Sequence, residues 1–198
     1  MHDVATMARG RRDDVPAAAL DDAILVEAAR RQVSSFEPLY ERYRDRIYAY
    51  MRLRTRRTED AADLTQQVFL QALGALAQYR PQRGTFAAWL FRIARNVATD
   101  DARRRRVTIA WDLVPEALQP LAGDDPEAAT LHTEALDRLR RVLAACPPPT
   151  RELLALRFTA GLTSAEIAAV VGKSEAAVKK QLTRIIQTLK EHYHEHPR

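Results

Sequence analysis

Residues 79–106 of this chain read YRPQRGTFAAWLFRIARNVATDDARRRR. Pro81 and Gly84 predict a turn, and Thr85 is a favourable N-cap for the helix that follows. At about 100° per residue, this helix carries one apolar stripe, formed by Phe86, Leu90, Ile93 and Val97. We therefore expect a turn followed by an amphipathic helix that buries this stripe.

A polar stripe lies beside the apolar one, and Trp89 stands on the border between them. The members of the polar stripe are Arg92, Asn96, Thr99 and Arg103. An indole at the edge of a basic face can stack on a nucleic-acid base while the arginines neutralise its phosphates. An ordinary amphipathic helix whose tryptophan completes the core has the same spacing. The helix alone leaves both interpretations open.

The composition indicates an all-helical protein. The 198 residues include only six glycines, Ala, Leu and Arg are abundant, and β-branched runs are few. The single Cys146 excludes an intramolecular disulfide and a multi-cysteine metal site, which fits a reducing cytoplasm. No apolar run approaches the roughly 18 residues of a membrane span, and no signal-peptide pattern is present. We therefore expect a soluble cytoplasmic protein.

The charge is distributed in blocks, although the net charge is only +5. Residues 1–106 hold 20 Lys and Arg against 14 Asp and Glu, and residues 138–198 hold 11 against five. Residues 107–137 hold seven acids and no Lys or Arg. Two basic blocks joined by an acidic one suggest two domains that face nucleic acid and a connector that faces a surface other than nucleic acid. Charge runs also occur on ordinary solvated surfaces, which is the alternative interpretation of this pattern.

The N-terminal part of the chain predicts a tail and a first helix. Residues 1–18 lack periodicity, which predicts a disordered tail. The first helix is expected at Asp21–Gln32, and the residues predicted to face inward are Ile24, Leu25, Ala28 and Ala29.

Two more helices are expected before residue 79. The second follows Ser34 or Ser35 as its cap, and its core-facing residues at spacings of three and four are Phe36, Leu39, Tyr40, Tyr43, Ile47, Tyr48 and Met51. The third is expected at Asp60–Leu76. Its predicted buried residues are Ala61, Leu64, Val68 and Leu73, and its outward residues are Asp63, Gln66, Gln67 and Gln71.

The character of the chain changes after Arg106. Prolines, a glycine and acids between 107 and 133 predict an extended linker that cannot form a packed unit. Helix is expected again at Glu134–Ala145 and is stopped by three consecutive prolines. Thr150 is the expected cap of the next helix, which Gly161 ends.

A helix-turn-helix is predicted near the C-terminus. Thr163 and Glu166 have the spacing of a capping box, Gly172 provides the turn, and Ser174 caps a longer helix. The residues predicted to face inward are Ile167, Ala168, Val171, Val178, Leu182, Ile185 and Leu189. The outward residues of the longer helix are Lys179, Lys180, Thr183, Arg184 and Gln187, which suits entry into the DNA major groove. Purely structural helical hairpins share parts of this pattern.

The sequence contains no recognisable constellation for enzymatic chemistry. It has no phosphate-cradling glycine loop, no His-Glu metal helix and no serine elbow. His192, His194 and His196 alternate along the chain, a spacing that can bind a metal ion. We expect them instead to belong to a solvated tail. We expect no catalytic residue, no metal, no cofactor and no small-molecule substrate.

These motifs, in this order, resemble the extracytoplasmic-function (ECF) sigma factors, the smallest branch of the sigma-70 family of bacterial transcription initiation factors. Residues 63–69 (DLTQQVF) are similar to region 2.2 of that family. Residues 84–90 (GTFAAWL) and 93–103 (IARNVATDDAR) resemble the segment that melts the promoter and reads the −10 element. Residues 162–189 resemble region 4.2, which reads the −35 element. The departures are Ala62 and Gln67, where Glu is frequent in the family, and Gln181, where Arg is frequent.

The resemblance implies an all-α fold of two small domains joined by an extended linker. The implied divisions are a tail at 1–18, a four-helix region 2 domain at 19–106, an acidic linker at 107–133, a helix-turn-helix region 4 domain at 134–193, and a tail at 194–198. The linker would pass through the polymerase cleft towards the RNA exit path.

The resemblance also implies three contact sites. The clamp helices and flap of core RNA polymerase are the implied docking surfaces, with region 2.2 contributing Asp63, Gln66, Gln67 and Phe69. The residues implied at the −10 element are Arg80, Arg83, Trp89, Arg92, Asn96, Thr99 and Arg103. Those implied at the −35 element are Ser174, Glu175, Ala176, Lys179, Lys180, Thr183 and Arg184. An anti-sigma factor is a further candidate partner.

A sigma factor that confers promoter specificity on core polymerase, and is not itself an enzyme, is therefore the expected function. The alternative is a stand-alone helix-turn-helix regulator, which would not need the region 2.2 residues and should bind duplex DNA tightly by itself. A nucleic-acid-modifying enzyme is the weakest rival, because no catalytic constellation is found.

Overall fold

The structure is a computed structural model that describes residues 15–55, 57–105 and 146–194. The described residues form helices and turns without any β-strand, which confirms the all-α prediction. In chain order the α-helices are α1 Val15–Arg31, α2 Glu37–Arg52, α3 Thr58–Ala75, α4 Phe86–Arg105, α5 Pro148–Leu154, α6 Ser164–Val171 and α7 Glu175–His194. Short 3-10 turns occur at Val33–Phe36, Leu76–Gln78 and Pro81–Arg83, and a wider π turn at Ala155–Thr159 extends α5.

Helices α2, α3 and α4 pack around the core of the first domain. Its fully buried side chains include Leu39, Ile47, Tyr50, Met51, Val68, Phe86, Leu90 and Phe91. Edge-to-face ring contacts with centroids 5.5 Å apart join Tyr43 to Phe86 and Tyr50 to Phe91. Each large apolar side chain buried in this way stabilises the fold by roughly 1.5–3 kcal/mol relative to an exposed one. The apolar stripes predicted for these helices are confirmed in outline. Four predicted members, Tyr40, Tyr48, Leu73 and Ile93, are only partly buried, and the fully buried Tyr50 and Phe91 were not among the predicted core residues.

The inward face of α1 differs from the prediction. Ile24 is 69% exposed, whereas Val26 and Asp22 are buried. The Asp22 carboxylate accepts hydrogen bonds from Tyr43 and Arg42 of α2, and these bonds set the rotation of α1. Because three consecutive apolar residues offer no preferred face, the sequence pattern could not choose between them.

Two predicted helix caps are wrong. Neither Ser34 nor Ser35 caps α2, because its N-cap position is Phe36, which makes no side-chain capping bond. Helix α5 begins at Pro148, ahead of the predicted cap Thr150. Both helices carry proline in their first turn. Backbone N–H groups there have no helical acceptor, so the lack of an N–H in proline costs no helical hydrogen bond.

The start of α1 also lies earlier than predicted. The helix begins at Val15, inside the predicted tail 1–18. Pro16 stands in the first turn and three alanines follow it, and both features favour helix. The predicted linker at 107–133 and the predicted helix at 134–145 lie outside the described residues.

The second domain contains the predicted helix-turn-helix. Gly161 and Gly172 have φ of 65° and 70°, which is the left-handed region where glycine ends a helix without strain. Glu166 donates its backbone N–H to the Thr163 hydroxyl and its carboxylate accepts from the Thr163 N–H, so the capping box of α6 is confirmed. The Ser174 hydroxyl likewise accepts a backbone N–H from the first turn of α7.

Candidate nucleic-acid interface

The turn between α3 and α4 is closed by its own hydrogen bonds. The Tyr79 hydroxyl donates to the carbonyl oxygen of Gly84 at 3.1 Å. Gly84 has φ of 135°, a conformation that side chains with a Cβ rarely adopt. The Thr85 hydroxyl accepts the N–H of Ala88 at 3.2 Å and so caps α4. The predicted turn and cap are both confirmed.

This turn and the start of α4 form the wall of a pocket of about 70 Å³. The residues from the predicted −10 set that line it are Arg80, Arg83, Trp89 and Arg92. Three guanidinium groups beside an aromatic ring suit a nucleotide, because the cations can neutralise phosphate while the ring stacks on a base.

The other predicted −10 residues lie outside the pocket, further along the exposed face of α4. They are Asn96, Thr99 and Arg103. The Thr99 hydroxyl donates to the Arg95 carbonyl at 2.7 Å, and Arg103 lies 3.9 Å from Asp100. Asn96 is exposed, and its amide offers both a donor and an acceptor to a base edge.

Trp89 belongs to an aromatic cluster as well as to the pocket. Its half-buried ring lies 5.3 Å from the Tyr79 centroid and 5.4 Å from the Phe86 centroid. Burial, and then the charge of Asp22, raises the pKa of Tyr79, so its hydroxyl remains a donor to the turn at neutral pH. The indole therefore both packs on the core and presents surface to the pocket.

The solvent-facing side of α3 carries a continuous stripe, formed by Asp63, Gln66, Gln67 and Leu70 at spacings of three and four. Asp63 and Gln66 are exposed, Gln67 is half-buried at the edge of the stripe, and Leu70 is 71% exposed. A large apolar side chain exposed among polar neighbours is typical of a protein-binding surface. We call these four residues the α3 stripe.

Phe69 faces the core instead of solvent. It is 5% exposed, and its ring packs against Phe36 and Tyr40. Of the predicted polymerase-binding residues, Phe69 is therefore the one that cannot reach a partner directly. It can influence the α3 stripe only by holding the helix against the core.

Helix α7 presents a basic side to solvent. All of the residues in the predicted −35 set are exposed, namely Ser174, Glu175, Ala176, Lys179, Lys180, Thr183 and Arg184. Lys179 pairs with Glu175 at 2.6 Å, so part of its charge is compensated within the helix. Lys173 donates to Gln181 at 3.0 Å and ties the turn to α7.

The two domains touch through a cluster of charged and polar residues centred on Glu152 of α5. Its carboxylate accepts a 2.7 Å hydrogen bond from the Tyr50 hydroxyl and forms ion pairs with Arg54 and, at 3.8 Å, with Arg95. Burial alone would raise the pKa of Glu152, but these three partners outweigh it and lower the pKa below its ordinary value. We call these four residues the Glu152 cluster.

Two more contacts join the domains. Arg46 of α2 donates to the carbonyl oxygen of Ala160 at 2.8 Å. The Thr85 hydroxyl donates to Glu166 at 2.8 Å, and Ala169 of α6 lines the pocket. The first helix of the helix-turn-helix therefore lies against the turn that carries the −10 candidates.

Several of these residues were not apparent from the sequence. Glu152 belongs to no motif. Neither does Arg30 of α1, which donates to the backbone carbonyls of Leu76 and Tyr79, 46 and 49 residues away along the chain. Glu166 is visible as a capping residue, but its bond to Thr85 spans 81 residues. Helical periodicity reports local faces and carries no information on such distant pairs.

Within the described ranges, no group of three or more His, Cys, Asp or Glu is placed to hold a metal ion. None of the helices in this part of the chain has the length and apolarity that a membrane crossing needs.

Comparison with known families and proteins gives a consistent result. Residues 39–108 match Sigma-70 region 2, and residues 136–189 match Sigma-70 region 4. The ECF RNA polymerase sigma factor BldN of Streptomyces coelicolor is 34% identical over 182 residues, which cover 88% of this chain and 67% of that protein. The ECF RNA polymerase sigma factor SigD of Mycobacterium tuberculosis is 31% identical over 176 residues, covering 86% and 82%.

Solved structures share the fold. CnrH, in complex with the cytosolic domain of CnrY, superposes with a TM-score of 0.62 at 28% identity, covering 87% of this chain and 96% of that one. The sigma factor RpoE of Bartonella quintana, in complex with the anti-sigma factor NepR, superposes with a TM-score of 0.56 at 19% identity, covering 79% and 94%, and shows the fold alone. This chain belongs to the extracytoplasmic-function sigma factors of the sigma-70 family.

Proposed function

We propose that this sigma factor docks on core RNA polymerase through the α3 stripe, captures the −10 strand with the pocket and α4, and reads the −35 element with α7. The protein would catalyse no reaction itself and would act in the cytoplasm beside the polymerase. The proposed division assigns docking and melting to residues 19–106, the connection to 107–133 and upstream recognition to 134–193.

The observation that carries this proposal is the pocket beside α4. Three arginines and a half-buried tryptophan meet on one turn-helix unit, and Asn96 lies on the exposed face that continues from it. Opening DNA without nucleotide hydrolysis requires binding energy that exists only when the strands are apart. Stacking of a base on an aromatic side chain supplies about 1–3 kcal/mol, which is available to a captured single strand and not to the duplex.

The α3 stripe supports docking by its mixed chemistry. Asp63 supplies a charge, Gln66 and Gln67 supply amide donors and acceptors, and Leu70 supplies apolar area at its end. Exposed polar groups around an apolar side chain are the usual composition of a protein interface. A stand-alone regulator has no need of such a surface.

Reading both elements requires the domains to separate. The centres of the −10 and −35 elements are about 25 base pairs apart, which is roughly 85 Å at 3.4 Å per base pair. Ala169 lines the pocket, and only six residues, at most roughly 20 Å of chain, separate it from the start of α7 at Glu175. In this closed arrangement the two DNA-reading surfaces therefore cannot occupy both elements, and we propose that polymerase and promoter bind the separated form.

A reconstitution experiment tests the proposal. The chain is combined with bacterial core polymerase, and transcribed promoters are selected from a random DNA library. We expect transcription only with the chain present, from promoters that share two conserved blocks at −35 and −10. Tight binding to duplex DNA without polymerase, and no transcription with it, would instead identify a stand-alone regulator.

An anti-sigma factor is the remaining proposed partner. The likeness to CnrH, which was solved in complex with the cytosolic domain of CnrY, supports a second protein partner for this chain. Its identity can be sought by co-purification once the transcribed promoters are known.

A further inference from the structure

Arg30, near the end of α1, reaches across to the turn that follows α3. Its Nε and Nη2 donate to the Leu76 carbonyl at 3.3 Å, and Nη2 also donates to the Tyr79 carbonyl. On its other side, Nη1 pairs with Glu27 at 2.5 Å. The side chain is 23% exposed, so this guanidinium is largely enclosed by its partners.

These bonds are well matched to the end of α3. Leu76 is the C-cap of that helix, where carbonyl groups lack helical partners and carry a partial negative charge. The planar fork of a guanidinium can donate to several carbonyl oxygens at once, whereas an ammonium acts as a compact point charge. Arg30 therefore fixes the backbone at the point where the chain leaves α3.

The same bonds lead into the pocket. Tyr79, whose carbonyl Arg30 holds, lines the pocket, contacts Trp89 and donates from its hydroxyl to Gly84. The Arg30 guanidinium also lies 6.0 Å from the centre of the Tyr79 ring. Arg30 itself does not line the pocket. It is thus linked to the pocket wall through Tyr79, whose carbonyl oxygen also accepts a hydrogen bond from Arg80 at 3.1 Å.

We propose that Arg30 is a positioning residue for −10 recognition: by holding the Leu76 and Tyr79 carbonyls, it fixes the wall against which Trp89 and the turn capture the single strand. This inference rests on the proposed function of the pocket. Arg30 acts through Tyr79 and makes no contact with a phosphate. Its removal should therefore lower affinity and base preference while leaving the number of phosphate contacts unchanged.

The experiment compares wild-type holoenzyme with holoenzyme carrying Arg30→Ala or Arg30→Lys. Each is titrated with a fluorescent single-stranded oligonucleotide that carries the −10 sequence of the transcribed promoters. A scrambled oligonucleotide is titrated in parallel. We expect affinity for the −10 oligonucleotide to fall about tenfold, on the order of one base contact, and its preference over the scrambled one to fall as well. The slope of log affinity against log salt should be unchanged. Arg31→Ala, at the exposed neighbouring residue, is the matched control and should behave as wild type.

Arg83→Ala, at an exposed residue that lines the pocket, provides the contrast of a direct contact. For this variant the salt slope should fall by about 0.7 for each phosphate that is no longer neutralised on a single strand. The inference is overturned if Arg30→Ala binds as wild type, if it lowers the salt slope as Arg83→Ala does, or if core binding falls in the same proportion as oligonucleotide binding. Should Arg30→Ala fail to fold, Arg30→Lys and Glu27→Gln decide by the same criteria, since both keep the helix and change only how the carbonyls are held. Failure of the wild-type holoenzyme to bind the −10 oligonucleotide would count against the proposed function instead.

Discussion

The hydroxyl of Thr85 donates a 2.8 Å hydrogen bond to Glu166, and this bond joins the two proposed DNA-reading parts of the molecule. Thr85 caps α4, and Glu166 completes the capping box of α6. Each residue thus has a local role in starting a helix and a second role across the domain boundary. Together with the Glu152 cluster, this bond holds the closed arrangement.

Glu152→Gln should shift the molecule towards the separated form. The substitution removes the charge that compensates Arg54, whose side chain is only 8% exposed. We expect the ratio of separated to closed molecules to rise about tenfold, since a hydrogen bond to a charged group is worth about 1.5–3 kcal/mol. Small-angle scattering and energy transfer between dyes on α3 and α7 measure it. Glu41→Gln, at an exposed site of α2, is the control, and an unchanged ratio for Glu152→Gln would contradict the proposed lock.

Acidification should open the molecule in the same way. The pKa of Glu152 is lowered in the closed form, so its charged state favours closure. This contribution is complete above the ordinary glutamate value of 4.5 and is lost as the pH falls through the lowered pKa. The groups that face Glu152 are Tyr50, Arg54 and Arg95. The efficiency of energy transfer is followed from pH 7 downwards. In wild type it should decrease once the pH is below 4.5, and its dependence on pH should be weaker in Glu152→Gln. Equal titration curves for the two proteins would remove Glu152 from the mechanism.

Asp63→Arg should abolish core polymerase binding without unfolding the protein. The side chain lies on the exposed α3 stripe, and we expect the clamp surface that meets this carboxylate to be basic. The substitution would then place two positive charges against each other. Co-purification with core polymerase measures binding, and helical circular dichroism checks the fold. Asp45→Arg, at an 83% exposed aspartate of α2, makes the same change elsewhere. Retention of core polymerase by Asp63→Arg at the wild-type level would show that the stripe is not the docking surface.

Lys180→Ala should weaken binding to the upstream element and leave opening of pre-melted templates intact. Lys180 is exposed near the start of α7, where a recognition helix meets DNA. Removing one lysine–phosphate interaction should flatten the salt dependence of binding by about one unit of slope. Lys190→Ala, about 15 Å further along the same helix, is the matched control. An equal decrease on duplex and pre-melted templates would argue against this division of labour.

Asn96→Ala should fold normally, bind core polymerase and reach duplex DNA, yet fail to hold the −10 strand open. Its side chain is exposed, so its removal leaves the core intact. Permanganate reactivity of thymines in the −10 element reports strand opening. Wild-type reactivity in Asn96→Ala would remove this face of α4 from the melting mechanism.

Trp89→Ala should lower both strand opening and stability, because the ring is shared between the pocket and the Tyr79–Phe86 cluster. Emptying a fully buried aromatic site costs about 3–5 kcal/mol, and a half-buried ring should cost less. Thermal unfolding and permanganate footprinting of the same variant separate the two effects. Reduced stability with normal opening would assign Trp89 to packing alone.

The helical architecture and most of the buried helix faces can be predicted from the amino-acid sequence alone. The stripes of α3 and α4, the turn at Pro81 to Gly84, and the capping box at Thr163 and Glu166 all follow from the chemistry of residues a few positions apart. Such signals are readable because helix periodicity and capping depend on neighbours within about one turn.

The buried face of α1 and the contact between the two domains depend instead on tertiary packing. Asp22 selects the face through Tyr43, and Arg30, Glu152 and Glu166 find partners tens of residues away along the chain. These pairs depend on how whole helices pack. The local sequence pattern around such a residue is the same whether or not a residue far along the chain contacts it. The closed arrangement is therefore a property of the packed molecule and of no single stretch of its sequence. The same holds for the proposed action of Arg30 on the turn that follows Tyr79.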